Sequence, residues 1–197
     1  MPVDFPSPID YAVDISKTAA TLLNGGVILY PTDTIWGLGC LVNQTTAIQK
    51  IYQIKQRYEK KNLIVLVNSE DMLRRYVKEV PDAALELINS YQKPLTIVYP
   101  HAQNLPQQLV AADNTIAIRI VRNLFCTEVI RLTNTGLVST SANITGQPAP
   151  ASFSSIIREI RDSVDYIAMT DRDKLNKPAA STLIRLLPGG NFETLRD

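Results

Sequence analysis

Leu63-Ile64-Val65-Leu66-Val67 is the run on which the fold turns: five consecutive apolar residues between polar neighbours. A strand with one wet face alternates apolar and polar residues. A strand apolar on both faces belongs in the middle of a sheet, with helices covering it. Downstream, Ser69 is placed to cap a helix whose first turn carries Glu70 and Asp71, where negative charge suits the helix dipole. A further helix is expected from about Pro81 to Asn89. Upstream, a charged loop from Lys55 to Lys61 separates the strand from a helix with Ala47, Ile48, Ile51, Tyr52 and Ile54 at helical spacing. Thr45 and Thr46 are its candidate N-caps.

Further out the same alternation continues. Val27 to Tyr30, closed by Pro31, reads as a buried strand. Before it, Ala12, Val13, Ile15, Ala19, Leu22 and Leu23 share a helical face from Asp10 onward, and Gly25-Gly26 stops the helix. Residues 1–9, with three prolines in the first ten, read as an extended arm. Strands are expected at Thr96–Tyr99, Thr115–Ile120 and Leu137–Ser139. A helix carrying Leu124, Phe125, Val129 and Ile130 lies between the last two. Ser154–Arg161 reads as a helix, and Tyr166–Met169 and Ser181–Leu186 as strands. Phe192–Leu195 completes a hairpin around Pro188-Gly189-Gly190. Helices and strands alternate early and strands dominate late. This implies one α/β domain over residues 1–197, a twisted mixed parallel/antiparallel sheet with flanking helices.

Bulk properties narrow the function. Apolar residues make up 45% of the 197, enough for a sizeable core. Twenty Lys and Arg stand against 19 Asp and Glu, so a net charge of +1 argues against a broad polyanion-binding surface and leaves a local basic cleft open. The two cysteines, Cys40 and Cys126, form no CxxC pair and lie far from the single histidine, His101, which excludes a zinc site of the usual kind. Reduced thiols in a soluble, cytoplasmic protein are expected. The N-terminus lacks a signal-peptide pattern, and no apolar run approaches the ~20 residues that span a membrane. His101, after Pro100, reads as a surface loop residue.

No GxGxxG, GxxxxGK[ST] or GxSxG motif is present. Four polar stretches instead sit at strand ends. Tyr30–Gly39 is either a ligand loop whose glycines allow close backbone approach or a strand-to-helix turn with a core tryptophan. Lys55 and Arg57 point to one side if the backbone there is extended, forming a two-cation clamp. Otherwise they belong to a solvated basic loop. In Thr115–Arg119, alternation puts Thr115, Ala117 and Arg119 on one face, and the arginine needs a carboxylate or a bound anion as partner. Ser139–Pro148 packs hydroxyls, amides and backbone N–H groups at a strand end. They suit phosphate oxygens, or simply a polar loop. Open α/β sheets place ligands at strand ends.

The order of these blocks is distinctive: GGVILYPTDTIWGLG, KQR with Lys61 four residues beyond the arginine, TIAIR, STSANITGQP and STLIRL. From Gly25 to Arg196 the chain resembles the threonylcarbamoyl-AMP synthase family, also called YrdC-like, in its short form without an additional C-terminal domain. The resemblance implies a YrdC-like fold with a basic concave cavity. It also implies a nucleotidyltransferase that joins L-threonine, bicarbonate and ATP into threonylcarbamoyl-AMP and pyrophosphate. A separate tRNA threonylcarbamoyl transferase complex then modifies adenosine in tRNA.

By the same resemblance, Lys55 and Arg57 meet the ATP phosphates or the carbamate as catalytic residues, with Lys61 assisting. Thr115, Ser141, the amides around Ala142 and Asn143, and Arg196 meet ATP. Arg119 pairs with the threonine carboxylate, and Thr34, Ser139 and Ser181 flank the threonine. Mg²⁺ is expected with ATP, held through phosphates and water rather than a protein cage. The chain departs from the family at Tyr58, Gln92-Lys93, Val121 and Ala149, which bears on loop contacts. The main rival is a non-catalytic module for double-stranded RNA or ribosome maturation, and a second is a related carbamoyl-adenylate enzyme with another acceptor.

Overall fold

The structure is a computed structural model that describes residues 8–56, 63–174 and 180–197. In chain order the elements are α1 (Pro8–Leu23), β1 (Ile28–Tyr30), β2 (Gly37–Leu41), α2 (Thr45–Ile54), β3 (Ile64–Val67), α3 (Glu70–Tyr76) and α4 (Asp82–Ser90). Then follow β4 (Leu95–Tyr99), β5 (Ile116–Ile120), α5 (Leu124–Thr133), β6 (Leu137–Ser141), α6 (Arg158–Asp162), β7 (Tyr166–Ile167), β8 (Thr182–Leu186) and β9 (Phe192–Arg196). Among the described residues the strands form one sheet in the order β7-β1-β2-β6-β3-β5-β4-β8-β9. It is mixed: β3 runs parallel to β5 and antiparallel to β6, and β4 is antiparallel to β5 and parallel to β8.

The all-apolar strand β3 is the middle strand, as its composition requires. Val65 and Val67 point into a fully buried core. Ile64 projects to the other face, where it lines a cavity. The helix α1 packs against β1, β2, β7 and α5, while α2 packs on β2 and α3 on β3 and β5. No helix among the described residues is long and apolar enough to cross a membrane. Cys40 and Cys126 are buried free thiols, and burial pushes both thiol pKa values well up. His101 is exposed, at a positive φ of 57°.

Local chemistry explains most element ends. Ser69 caps α3 by accepting from the Met72 N–H at 3.2 Å, and Asn123 caps α5 through the Cys126 N–H at 3.0 Å. Other ends differ from the sequence expectation. The N-cap of α2 is Gln44, with Thr45 and Thr46 already helical, and no side chain caps it. Pro8 opens α1, a position where a missing N–H is harmless, so the helix starts ahead of Asp10. The expected helix Ser154–Arg161 is split. Ser152 and Ser155 close a short 3₁₀ turn by reciprocal bonds, and Ile156 and Ile157 are extended before α6 begins. Strand β7 ends at Ile167 because the Met169 and Thr170 N–H groups turn onto the buried Asp14 carboxylate, at 2.9 and 2.8 Å.

The largest departure is β2, a strand where the sequence suggested either a ligand loop or a strand-to-helix turn. Its glycines hide it from any strand propensity. They are there because Tyr30 of β1 lies across them. A Cβ on Gly39 would stand 2.7 Å from the Tyr30 ring and 2.8 Å from the Val138 carbonyl oxygen. Gly39→Ala should therefore destabilise the fold by ~1–3 kcal/mol, as overpacking does. Urea denaturation of the two proteins checks this, and an unchanged midpoint would mean that the Tyr30 ring and the Val138 carbonyl both move aside.

Candidate active site

Strand register builds the site. Gly37 pairs with Ser141 and Gly39 with Ser139 across β2–β6, and Ile64 pairs with both Ser139 and Ala117. Leu66 pairs with Arg119. Alternation thus lines Gly37, Gly39, Ser139, Ser141, Ile64, Ala117 and Arg119 along one face of the sheet. The short side chains leave room above that face. A cavity of about 350 Å³ is lined by Thr34, Arg119, Ser139, Ser141, Asn143, Ser181 and Arg196, with Ile64 at its edge. A second, also about 350 Å³, shares Ile64 and Arg196 and adds Asp113, Thr115, Ala117 and Arg185. The expected site residues at Thr34, Arg119, Ser139, Ser141, Asn143, Ser181, Arg196 and Thr115 are thereby gathered along one face. Arg57 and Lys61 lie outside the described residues.

Polar groups along this face are held by protein partners. Arg119, 3% exposed, places Nη2 3.2 Å from Asp33 Oδ1 and Nη1 3.4 Å from Thr34 Oγ1, while its buried Nε–H has no partner among the described residues. The carboxylate expected beside this buried arginine is therefore present within the protein, as Asp33. Tyr30 donates its hydroxyl to Ser139 Oγ at 2.7 Å. Burial raises the Tyr30 pKa well above the usual value, so the phenol stays a donor and leaves the serine's own hydrogen for another acceptor. Ser181 and Thr96 share a hydroxyl contact of 2.7 Å, and Arg196 donates to the Ser181 carbonyl at 3.0 Å. Thr115 donates to Asp113 Oδ1 at 2.7 Å, and this bond holds the Asp113 carboxyl below its usual range.

Local geometry here differs from the sequence reading at Lys55 and in the loop after β6. The backbone at Lys55 is not extended: Lys55 is the helical C-cap of α2 (φ −77°, ψ −3°), and Gln56 is left-handed at φ 50°. Lys55 itself is buried and lines neither cavity. The amides of Ala142 and Asn143 are already committed, donating to the Trp36 and Ser141 carbonyls at 3.0 Å each. The loop accordingly offers side chains to the cavity. Sequence reasoning also passed over Asp33 and Arg185. Arg185 was findable from β8, where Thr182, Ile184 and Leu186 are buried and the intervening positions face the other way. Nothing in the sequence singles out Asp33 among its polar neighbours.

The sequence profile of the Sua5/YciO/YrdC family, described as "Telomere recombination", matches residues 20–197. A threonylcarbamoyl-AMP synthase of Xanthomonas euvesicatoria pv. vesicatoria (strain 85-10) is 30% identical over 169 residues, which is 84% of this chain and 90% of that protein. The structure of P. abyssi Sua5 complexed with L-threonine superposes with a TM-score of 0.82 at 26% identity. That match covers 95% of this chain and 54% of the other, so the chain spans about half the length of P. abyssi Sua5. E. coli YciO superposes with a TM-score of 0.82 at 22% identity, covering 95% of this chain and 89% of its own, a likeness of fold.

The Arg119–Asp33 pair makes a prediction of its own. Asp33→Ala strands a buried guanidinium and should cost ~2–4 kcal/mol of stability. Adding Arg119→Met removes the stranded charge and should recover a large part of that loss. Denaturation of the wild type, both single variants and the double variant checks this, and strictly additive losses would mean the two side chains are not coupled.

Proposed function

The chain belongs to the Sua5/YciO/YrdC family, and from that membership we propose that it is an L-threonylcarbamoyladenylate synthase, a nucleotidyltransferase serving threonylcarbamoyladenosine modification of tRNA. The observation that carries the reading is the pair of adjoining cavities on one sheet face. They are floored by glycine, serine and alanine and bordered by arginines. Such a surface suits two anionic ligands bound side by side. Threonine's amine and bicarbonate form a carbamate with loss of water. A carbamate oxygen attacks the α-phosphorus of ATP, the bond to the β-phosphate oxygen breaks, and pyrophosphate leaves. The reaction needs charge neutralisation and in-line placement rather than a covalent intermediate on the protein.

In this reading Arg119 receives the threonine carboxylate on the donors that Asp33 and Thr34 do not fill. Thr34, Ser139 and Ser181 flank the amino acid. Ser141, Asn143, Thr115 and Arg196 serve the nucleotide, where the two cavities meet. Arg57 and Lys61 take the phosphates by family resemblance. Mg²⁺ would accompany ATP, held mainly by the phosphates and water rather than by protein side chains, and would supply charge neutralisation there. This fits the donor set, because no group of three His, Cys, Asp or Glu side chains converges among the described residues. The product passes to a separate transferase complex. A non-catalytic RNA module is not favoured: the curated relatives are named synthases, and a net charge of +1 gives little for a phosphate backbone to neutralise.

The direct test incubates the protein with ATP, Mg²⁺, threonine and bicarbonate and detects threonylcarbamoyl-AMP by mass spectrometry. Pyrophosphate release should require both threonine and bicarbonate. Serine should substitute poorly, since the missing methyl forfeits ~1–3 kcal/mol of apolar contact. Equal pyrophosphate release without threonine would sink the synthase reading.

Arg119→Lys should weaken threonine binding far more than ATP binding, because an ammonium cannot reproduce the planar fork. Calorimetry with each ligand checks this. An unchanged threonine affinity would confine Arg119 to its pair with Asp33.

A further inference from the structure

Lys55 is 1% exposed, so its Nζ–H donors are withdrawn from water. Burying such a group demands hydrogen bonds for its donors. One loop offers three acceptors: Nζ donates to the Ser141 carbonyl at 2.6 Å, the Asn143 carbonyl at 2.8 Å and, more loosely, Asn143 Oδ1 at 3.4 Å. The backbone repeats the attachment, since the Thr145 N–H donates to the Lys55 carbonyl at 3.1 Å. Ser141 and Asn143 both line the cavity, and Lys55 does not. The ammonium therefore approaches the loop from its covered side.

We infer that Lys55 is a positioning residue, which draws the carbonyl oxygens of Ser141 and Asn143 to the covered side of the 141–147 loop so that the loop meets an anionic ligand with the Ser141 hydroxyl. The anionic nature of that ligand rests on the synthase reading. The holding of the loop does not. A carbonyl oxygen carries partial negative charge, and two of them turned into the cavity would repel a phosphate. A cation behind the loop removes them from the approaching ligand. It also places a positive charge close beneath the cavity without touching what binds there. The chain turns sharply after Lys55, with Gln56 left-handed, so the lysine is anchored at the rigid end of α2. Asn143 is fixed from its other side by Nδ2–H bonds to the Ile144 and Gln147 carbonyls. The loop is thus held to Lys55 and braced within itself before any ligand arrives.

The experiment is hydrogen exchange on the ligand-free protein. Lys55→Met keeps the apolar stem and removes the ammonium. Amides of residues 141–147 should then exchange at least about tenfold faster than in the wild type, with the rest of the sheet unchanged. The ATP-induced rise in melting temperature should shrink in parallel. A lysine acting by direct phosphate contact would leave ligand-free exchange at the wild-type rate while ATP binding was lost, and that result overturns the inference. Should Lys55→Met not fold, ¹⁵N spectra of the wild-type lysine ammonium groups decide. A protected, slowly exchanging Lys55 signal without ATP supports the pin, and a signal protected only after ATP is added refutes it. Neither readout needs turnover, so a failure of the synthase assay is told apart from a failure of this inference.

Discussion

The hydrogen bond from Tyr30 to Ser139, laid across the glycines of β2, is the contact around which the site is organised. A tyrosine ring can cross a neighbouring strand only where that strand has no side chain on the crossed face. Gly39 meets that condition, and the Val138 carbonyl allows no Cβ there. The bond joins β1 to β6 over β2, setting the height of the serine-bearing strand against the loop that carries Asp33 and Thr34. Its polar atoms are buried and mutually satisfied, so it holds one geometry at little cost.

The same logic governs the charges. Arg119, Lys55 and Arg196 are each tied to a protein oxygen already: a carboxylate, two carbonyls and one carbonyl, respectively. Arg119 and Lys55 are buried, and left without partners they would destabilise the sheet by several kcal/mol. Partners that fill only part of a guanidinium's donor set leave donors over, and among the described residues the buried Nε–H of Arg119 has no partner. A site arranged in this way is ordered before binding, which is what in-line transfer between two anions demands. At the far edge of the sheet Asp14 performs a purely structural version of the task. It gathers the Tyr166 hydroxyl and the N–H groups of Met169 and Thr170 onto one buried carboxylate and fastens α1 to the end of β7.

Much of this was legible in the residues. Val65 and Val67 announce a central strand because no alternation interrupts the run, and Ser69 announces a helix start because its oxygen suits a free N–H. Thr34, Arg119, Ser139 and Ser141 stand in blocks whose order resembles a known family, and they converge on one cavity. Strand β2 was not legible, since two glycines in five residues contradict every local strand preference, and the reason for them lies in Tyr30. The true cap of α2 was not legible either, because Thr45 and Thr46 suit the role locally yet fall inside the helix.

By itself, then, the sequence determined the alternation of helices and strands, the central place of β3, and which polar blocks sit at strand ends. These follow from periodicity and capping, which act over a few residues. The tertiary structure alone decided what each charge does. Asp33 became the partner of Arg119, 86 positions away, and Lys55 was turned behind a loop rather than along a strand. Neither outcome is encoded nearby, because burial is a property of everything that packs around a side chain, and a buried charge accepts whichever oxygens that packing brings within reach.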